Sequence, residues 1–220
     1  MPCLNPLPAV RSSGAVKIKH RRNRYANSER EIELACKKCA GCRSNRIRSF
    51  AIRGFHESLM WTRPTRFGRA INGCFVTLTY DRENLPSDGG LHLEHFQNFM
   101  KALRRNNSQR IRFLACGEYG EQRGRPHWHA CLYNIDFHED RVLCERSTSK
   151  AKSVEWQSNS LQKTWGKGNA TLGPLSFATA AYTAGYVMKK ESKADHSAST
   201  AVYGATSKPL SEIRQEFNTM

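Results

Sequence analysis

The chain has 220 residues, enough for one ordinary domain with a proper core and too few to make two large ones. A net charge of +16 and a pI near 9.8 mark a protein that meets polyanions, and no apolar run is long enough for a membrane span or a signal peptide. Eight cysteines with no export signal argue for reduced thiols in an intracellular protein rather than a disulfide scaffold.

The charge is uneven. Residues 1–70 carry 16 Lys/Arg against 4 Asp/Glu, net +12, whereas residues 71–220 carry 19 against 15, net +4. The first third is therefore the expected electrostatic footprint on nucleic acid, with Lys17, Lys19, Arg21, Arg22, Arg24, Arg43 and Arg46 as phosphate-binding candidates. Tyr25, Trp61 and Phe67 offer rings for base stacking in the same stretch.

Residues 1–35 hold few of the apolar positions a packed element needs, so a loose arm is expected there. Cys36-Lys-Lys-Cys39-Ala-Gly-Cys42 follows, three thiols too closely spaced for useful mutual bridging. Over residues 43–61, Ile47, Phe50, Ala51, Phe55, Leu59 and Met60 recur at three- and four-residue spacing, which predicts an amphipathic helix launched from the cysteine turn. A loop holding Pro64, Gly68 and Gly73 leads to residues 74–80, Cys-Phe-Val-Thr-Leu-Thr-Tyr, whose β-branched and aromatic side chains predict a central strand.

Phe96, Phe99, Met100 and Leu103 predict a helix over residues 93–105. Residues 111–116 read as a strand, 117–125 as a Gly-containing turn and 127–133 as the returning strand of a hairpin. Residues 144–173 are polar around two isolated tryptophans, Trp156 and Trp165, and give no firm element. Helical spacing resumes over residues 176–190 through Phe177, Ala181, Tyr182, Gly185, Tyr186 and Met188; beyond Glu191 the chain is mostly polar.

His127-Trp128-His129 carries the sharpest chemistry. On a strand both imidazoles project to one side while Trp128, Ala130 and Leu132 face the core. Two neutral imidazoles so held form half of a metal site, and Glu118 on the adjacent strand is the preferred third ligand, with Glu121 the second choice. One carboxylate and two imidazoles leave positions for water and phosphate oxygens, which suits Mg²⁺ or Mn²⁺ as a Lewis acid.

Tyr182 and Tyr186 lie four apart on a predicted helix and share a face. A phenolate attacking a phosphodiester gives a 5′-phosphotyrosine and frees a 3′-hydroxyl. Free tyrosine titrates near pH 10, so a metal and a cation such as Lys189, one turn after Tyr186, must stabilise the phenolate. Thr77 and Thr79 place hydroxyls on one face of the strand expected beside the histidines.

In order, Thr77-Leu-Thr-Tyr-Asp81, then Gly117-Glu-Tyr-Gly-x4-Arg-Pro-His-Trp-His129, then Tyr182-x3-Tyr186-x2-Lys189 resembles the three motifs of the His-hydrophobe-His replication initiators. In detail the chain is similar to the replication initiation proteins of gokushovirus-type microviruses, with Met1-Pro-Cys3, the cysteine element and Asp81-Arg-Glu-Asn-Leu-Pro86 in support. The resemblance implies a metal site of His127, His129 and Glu118 and a nucleophile motif of Tyr186 with Lys189. Tyr182 matches the second tyrosine of two-tyrosine relatives, but Gly185 stands where its lysine would follow, so Tyr186 is preferred. The chain ends at Asn218-Thr-Met220 where such relatives continue with a basic Pro/Gly-containing segment, which leaves a shortened or a divergent C-terminus as the two readings.

The cysteine element stays open between readings. An iron–sulfur run lacks its further Cys, since Arg46 occupies that place. Zinc held by Cys3, Cys36, Cys39 and Cys42 would anchor the N-terminal arm; the plain alternative is reduced thiols in a tight turn.

The expected fold class is α+β; the resemblance implies a central antiparallel sheet holding the histidines, helices on one face and the tyrosine helix across the other, in a His-hydrophobe-His, ferredoxin/RRM-like arrangement. Three regions are expected: a basic N-terminal part over 1–70, an endonuclease domain over 71–191 and a polar tail over 192–220. Without a Gly-x4-Gly-Lys-Ser/Thr phosphate loop no helicase domain is expected. The implied function is nicking of single-stranded or hairpin origin DNA for rolling-circle replication, in the cytoplasm of a bacterial host that supplies helicase and polymerase. Rival readings are a transposase or relaxase of the same chemistry and a non-catalytic zinc-containing nucleic-acid-binding protein.

Overall fold

The computed structural model describes residues 2–12, 14–19, 30–66, 68–120, 124–144, 154–191 and 201–203. The chain divides into two compact units, Met1–Ser49 and Phe50–Met220, with the division falling inside one helix.

The first unit corrects the expectation of a loose arm. Strands β1 (Leu7–Ser12), β2 (Ala15–Ile18) and β3 (Arg30–Leu34) form an antiparallel sheet in the order β2-β1-β3. Gly14, at φ +84°, turns β1 into β2 where a side chain would be strained. The strands escaped notice because they are short and bury little: β2 is exposed along its whole length, and in β3 only Ile32 and Leu34 are partly buried, between Glu31 and Glu33. Backbone pairing and the buried Ala9 and Val10 hold the sheet instead. The first turns of α1 (Ala40–Met60) complete the unit.

In the second unit, α1 reaches Met60, and the expected loop after it is a hairpin of β4 (Thr62–Thr65) and β5 (Gly68–Ile71). β6 (Gly73–Thr79), α2 (Leu93–Arg105), β7 (Arg112–Tyr119) and β8 (Pro126–Tyr133) follow as read from the sequence, except that β7 runs on through Gly117, Glu118 and Tyr119. The unassigned stretch supplies β9 (Arg141–Leu143), β10 (Trp156–Ser158), α3 (Asn159–Trp165) and β11 (Ala170–Pro174). Ser158 caps α3 by accepting from the Leu161 N–H, and Gly166 ends it in the left-handed region. Last come α4 (Phe177–Glu191) and β12 (Ala201–Tyr203), a strand within the segment expected as a polar tail.

Seven strands make one antiparallel sheet in the order β12-β7-β8-β6-β11-β10-β9. The architecture is α+β, with the histidine strand β8 inside the sheet between β7 and β6. Side-chain alternation divides the core into two faces. Val76, Leu78, Trp128, Ala130 and Leu132 pack with Phe96, Phe99, Met100 and Leu103 of α2 on one face. Trp128 is wholly buried and stacks on Phe96 at 5.1 Å between ring centroids. On the other face Leu114, Cys131 and Tyr133 pack with Leu175 and Ala180, the latter on α4. The buried face of α4 is Ala180, Thr183, Ala184 and Val187. Small side chains at helical spacing let α4 approach the sheet closely and leave its tyrosines beside the histidines.

Candidate active site on the hairpin of β7 and β8

The register places His127 opposite Glu118 on β7 and Thr79 on β6, and His129 opposite Cys116 and Thr77. Glu118, His127 and His129 therefore share a face with Thr77, and one ligand atom from each of the three lies within 4.8 Å of the others. Both imidazoles turn Nε2 toward Glu118 Oε2, at 3.7 Å for His127 and 3.4 Å for His129. Each Nδ1 is tethered: His127 donates to the Arg125 carbonyl at 2.9 Å, and His129 Nδ1 lies 3.1 Å from the Thr77 hydroxyl. Such tethers hold both rings with Nε2 aimed at Glu118, the outer-shell support a histidine metal ligand needs. Phe75 stacks on His129 at 5.3 Å and closes its other side.

Both tyrosines of α4 reach the same carboxylate. The Tyr182 hydroxyl donates to Glu118 Oε2 at 3.2 Å, and Tyr186 also hydrogen-bonds to Glu118. Tyr182 and Tyr186 meet edge-on at 4.9 Å, and Tyr182 meets His129 at 5.2 Å. Burial acts to raise the Glu118 carboxyl, but hydrogen bonds with His127, His129 and Tyr186 outweigh it and hold the group well below the usual carboxylate range. Burial, the bond to Tyr186 and the charge of Glu118 push the Tyr182 phenol far above its ordinary value. The set of one carboxylate and two tethered imidazoles fits a divalent cation, which would offset this negative charge and favour a phenolate.

Lys189 lies on α4 one turn beyond Tyr186. Glu121, the second carboxylate considered, lies outside the described residues, as do Arg21, Arg22, Arg24, Tyr25 and Phe67. Lys17 is exposed on β2, Lys19 pairs with Glu31, and Arg43 and Arg46 lie on the first turns of α1. Trp61 is partly buried and donates its indole N–H to Glu57 at 3.0 Å. Cys3, Cys36, Cys39 and Cys42 gather their sulfurs within 4.8 Å of one another. Phe75 and the Arg125 carbonyl were not singled out from sequence; a backbone oxygen carries no sequence signal, and Phe75 reads as an ordinary strand residue.

A family model described as replication-associated protein ORF2/G2P matches residues 73–191, from the first residue of β6 to the last of α4. The chain belongs to this family. Replication-associated protein ORF2 of Spiroplasma virus 4 is 32% identical over 216 residues, covering 90% of this chain and 64% of the relative. Replication-associated protein VP4 of Bdellovibrio phage phiMH2K is 32% identical over 204 residues, covering 86% and 58%. Replication-associated protein ORF4 of Chlamydia phage 1 is 29% identical over 162 residues, covering 71% and 38%. The chain thus spans less than two thirds of the length of these curated relatives. No solved structure matches it. The resemblance to microvirus replication proteins drawn from the motifs is borne out. Glu118, His127, His129, Tyr182, Tyr186 and Lys189 of this ORF2/G2P family member fall inside the matched span. No described helix is long and apolar enough to cross a membrane.

Proposed function

We propose that the protein is a replication initiator that nicks single-stranded origin DNA by transesterification to a tyrosine. The observation that carries this reading is the convergence of Tyr182 and Tyr186 on Glu118, the carboxylate that His127 and His129 also face. A hydrolase would need to position water; a pair of phenols at the metal-ligand set instead supports a protein nucleophile.

The Tyr186 oxygen attacks the scissile phosphorus in line, the bond from phosphorus to the 3′-oxygen breaks, and that oxygen leaves as a hydroxyl able to prime synthesis. Its product is a 5′-phosphotyrosine, which keeps the bond energy for rejoining. Glu118, His127 and His129 would hold Mg²⁺ or Mn²⁺, which when bound supplies Lewis-acid polarisation of the phosphate. Lys189 offsets charge gathering on the phosphorus oxygens. Phosphate contacts from the basic residues of 1–70 hold the strand, with host helicase and polymerase extending it in the bacterial cytoplasm. The antiparallel β7-β8-β6 centre, with α2 and α4 on opposite faces, supports a His-hydrophobe-His endonuclease fold of ferredoxin/RRM-like type. Within it, 71–191 is the catalytic domain.

The test is incubation of the protein and its Tyr186→Phe variant with labelled circular single-stranded DNA from the replicon that encodes it, with Mn²⁺. A denaturant-stable protein–DNA adduct is expected from the parent and a loss of roughly 10³-fold in the variant. No adduct from the parent sinks the reading; an undiminished adduct from the variant moves the nucleophile to Tyr182.

A further inference from the structure

The described residues of the unit Met1–Ser49 form a sheet that buries few apolar side chains. Among its described residues the buried hydrophobic side chains are Ala9, Val10 and Cys42. Twelve Lys/Arg against three Asp/Glu, net +9, add self-repulsion to that deficit. Units this small need a staple when apolar burial is insufficient, and disulfides or a metal commonly supply it.

The four cysteines stand where a staple would act. Cys3 precedes β1, Cys36 follows β3, Cys39 adjoins the first residue of α1, and Cys42 lies in its first turn. The sulfurs are too far apart for disulfides, at 3.8 Å for Cys3 and Cys39 and 3.9 Å for Cys36 and Cys42, where a bond needs about 2.05 Å. Those distances match the edge of a tetrahedron around zinc, about 3.8 Å for Zn–S bonds of about 2.3 Å.

The backbone is arranged for thiolates as well. Sγ of Cys3 accepts from the Cys36 N–H at 3.3 Å, and Sγ of Cys39 accepts from the N–H of Leu4 at 3.3 Å and of Cys42 at 3.5 Å. Sγ of Cys36 accepts from the Cys39 N–H at 3.4 Å, around a turn in which Lys37 takes φ 63°, unusual for a residue with a side chain. Amide donors aimed at sulfur lower the cost of gathering thiolates around a dication. Soft sulfur ligands in a closed tetrahedral set select zinc over Mg²⁺ or Ca²⁺ and leave no position for substrate, so the site is structural.

We infer that Cys3, Cys36, Cys39 and Cys42 bind one zinc ion that ties the start of β1, the end of β3 and the start of α1 together, making the fold of the basic unit metal-dependent. This is separate from the histidine site and does not rest on the nuclease reading.

The full chain, produced with zinc and purified under reducing conditions, should retain about one zinc per chain after dialysis against metal-free buffer and release it to excess EDTA. Cys39→Ser should lose that zinc, whereas His129→Ala should keep it. Cobalt substitution of the parent should give the intense sulfur-to-cobalt charge-transfer bands of a tetrathiolate, a readout that needs no variant to fold. Hydrogen exchange should show β1 and β3 amides losing protection when zinc is lost, with β7 and β8 unchanged. A parent chain with no bound zinc and no thiolate–cobalt spectrum, or with iron in its place, overturns the zinc assignment. Unchanged protection of β1 and β3 without zinc overturns the dependence of the fold on it.

Discussion

Tyr182 donates its hydroxyl proton to Glu118 at 3.2 Å, so a candidate nucleophile is bonded to the carboxylate that a metal would take. Burial first, then the bond to Tyr186 and the charge of Glu118, keeps this phenol neutral well above its ordinary range. A cation at Glu118 competes for the same oxygen and reverses the local charge. In a Tyr186→Phe background, Mg²⁺ or Mn²⁺ should lower the alkaline titration of Tyr182 by about one pH unit or more, read from phenolate absorbance. A titration indifferent to the cation would mean that it binds elsewhere.

The same carboxylate links the site to acid stability. Its folded pKa lies below the unfolded value, because hydrogen bonds with His127, His129 and Tyr186 overcome the opposing effect of burial. Stabilisation from Glu118 is thus fully present above about pH 4.3 and is lost as pH falls below that. Glu118→Gln should cost about 1–3 kcal/mol at neutral pH and progressively less toward pH 2. Thermal melting of parent and variant across pH checks it; curves that stay parallel contradict the assignment.

What sequence could reveal followed from periodicity. β8 was legible because Trp128, Ala130 and Leu132 alternate with His127, His129 and Cys131, and α2 because Phe96, Phe99, Met100 and Leu103 form one buried stripe. β2 and β3 were not, since four- and five-residue strands are too short to stand out, even where Ile32 and Leu34 alternate with Glu31 and Glu33. β9 and β10 have three residues each, too few for a pattern. The buried face of α4 was not legible because alanine and threonine carry its packing, and small residues give weak signals beside large exposed ones such as Phe177.

Gly185 offers a test of the two tyrosines. A side chain there would meet nothing within 4 Å, so the position tolerates substitution. Gly185→Ala should stabilise the helix by up to about 1 kcal/mol. Gly185→Lys completes a Tyr-x-x-Lys spacing for Tyr182 and should raise adduct formation by Tyr182 in a Tyr186→Phe background about tenfold. Gel quantification of the adduct decides; no gain in that background would place the limitation elsewhere than in the missing lysine.

Gly117 couples the core to the site. It pairs with Trp128 across the hairpin and immediately precedes Glu118. A Cβ at this position would lie 2.8 Å from Leu91 Cδ1 and 3.2 Å from Trp128 Cζ3, so one side chain or the strand must shift. Gly117→Ala should therefore cost about 1–3 kcal/mol through overpacking. Trp128→Ala should cost about 3–5 kcal/mol by leaving a cavity against Phe96. Denaturant unfolding measures both. They differ at the site: displacement of β7 by Gly117→Ala moves the Glu118 backbone and should weaken Mn²⁺ binding several-fold. Trp128→Phe fills most of the cavity and should leave Mn²⁺ affinity unchanged, so a loss of affinity there would mean that His127 and His129 depend on the indole rather than on the register of the hairpin.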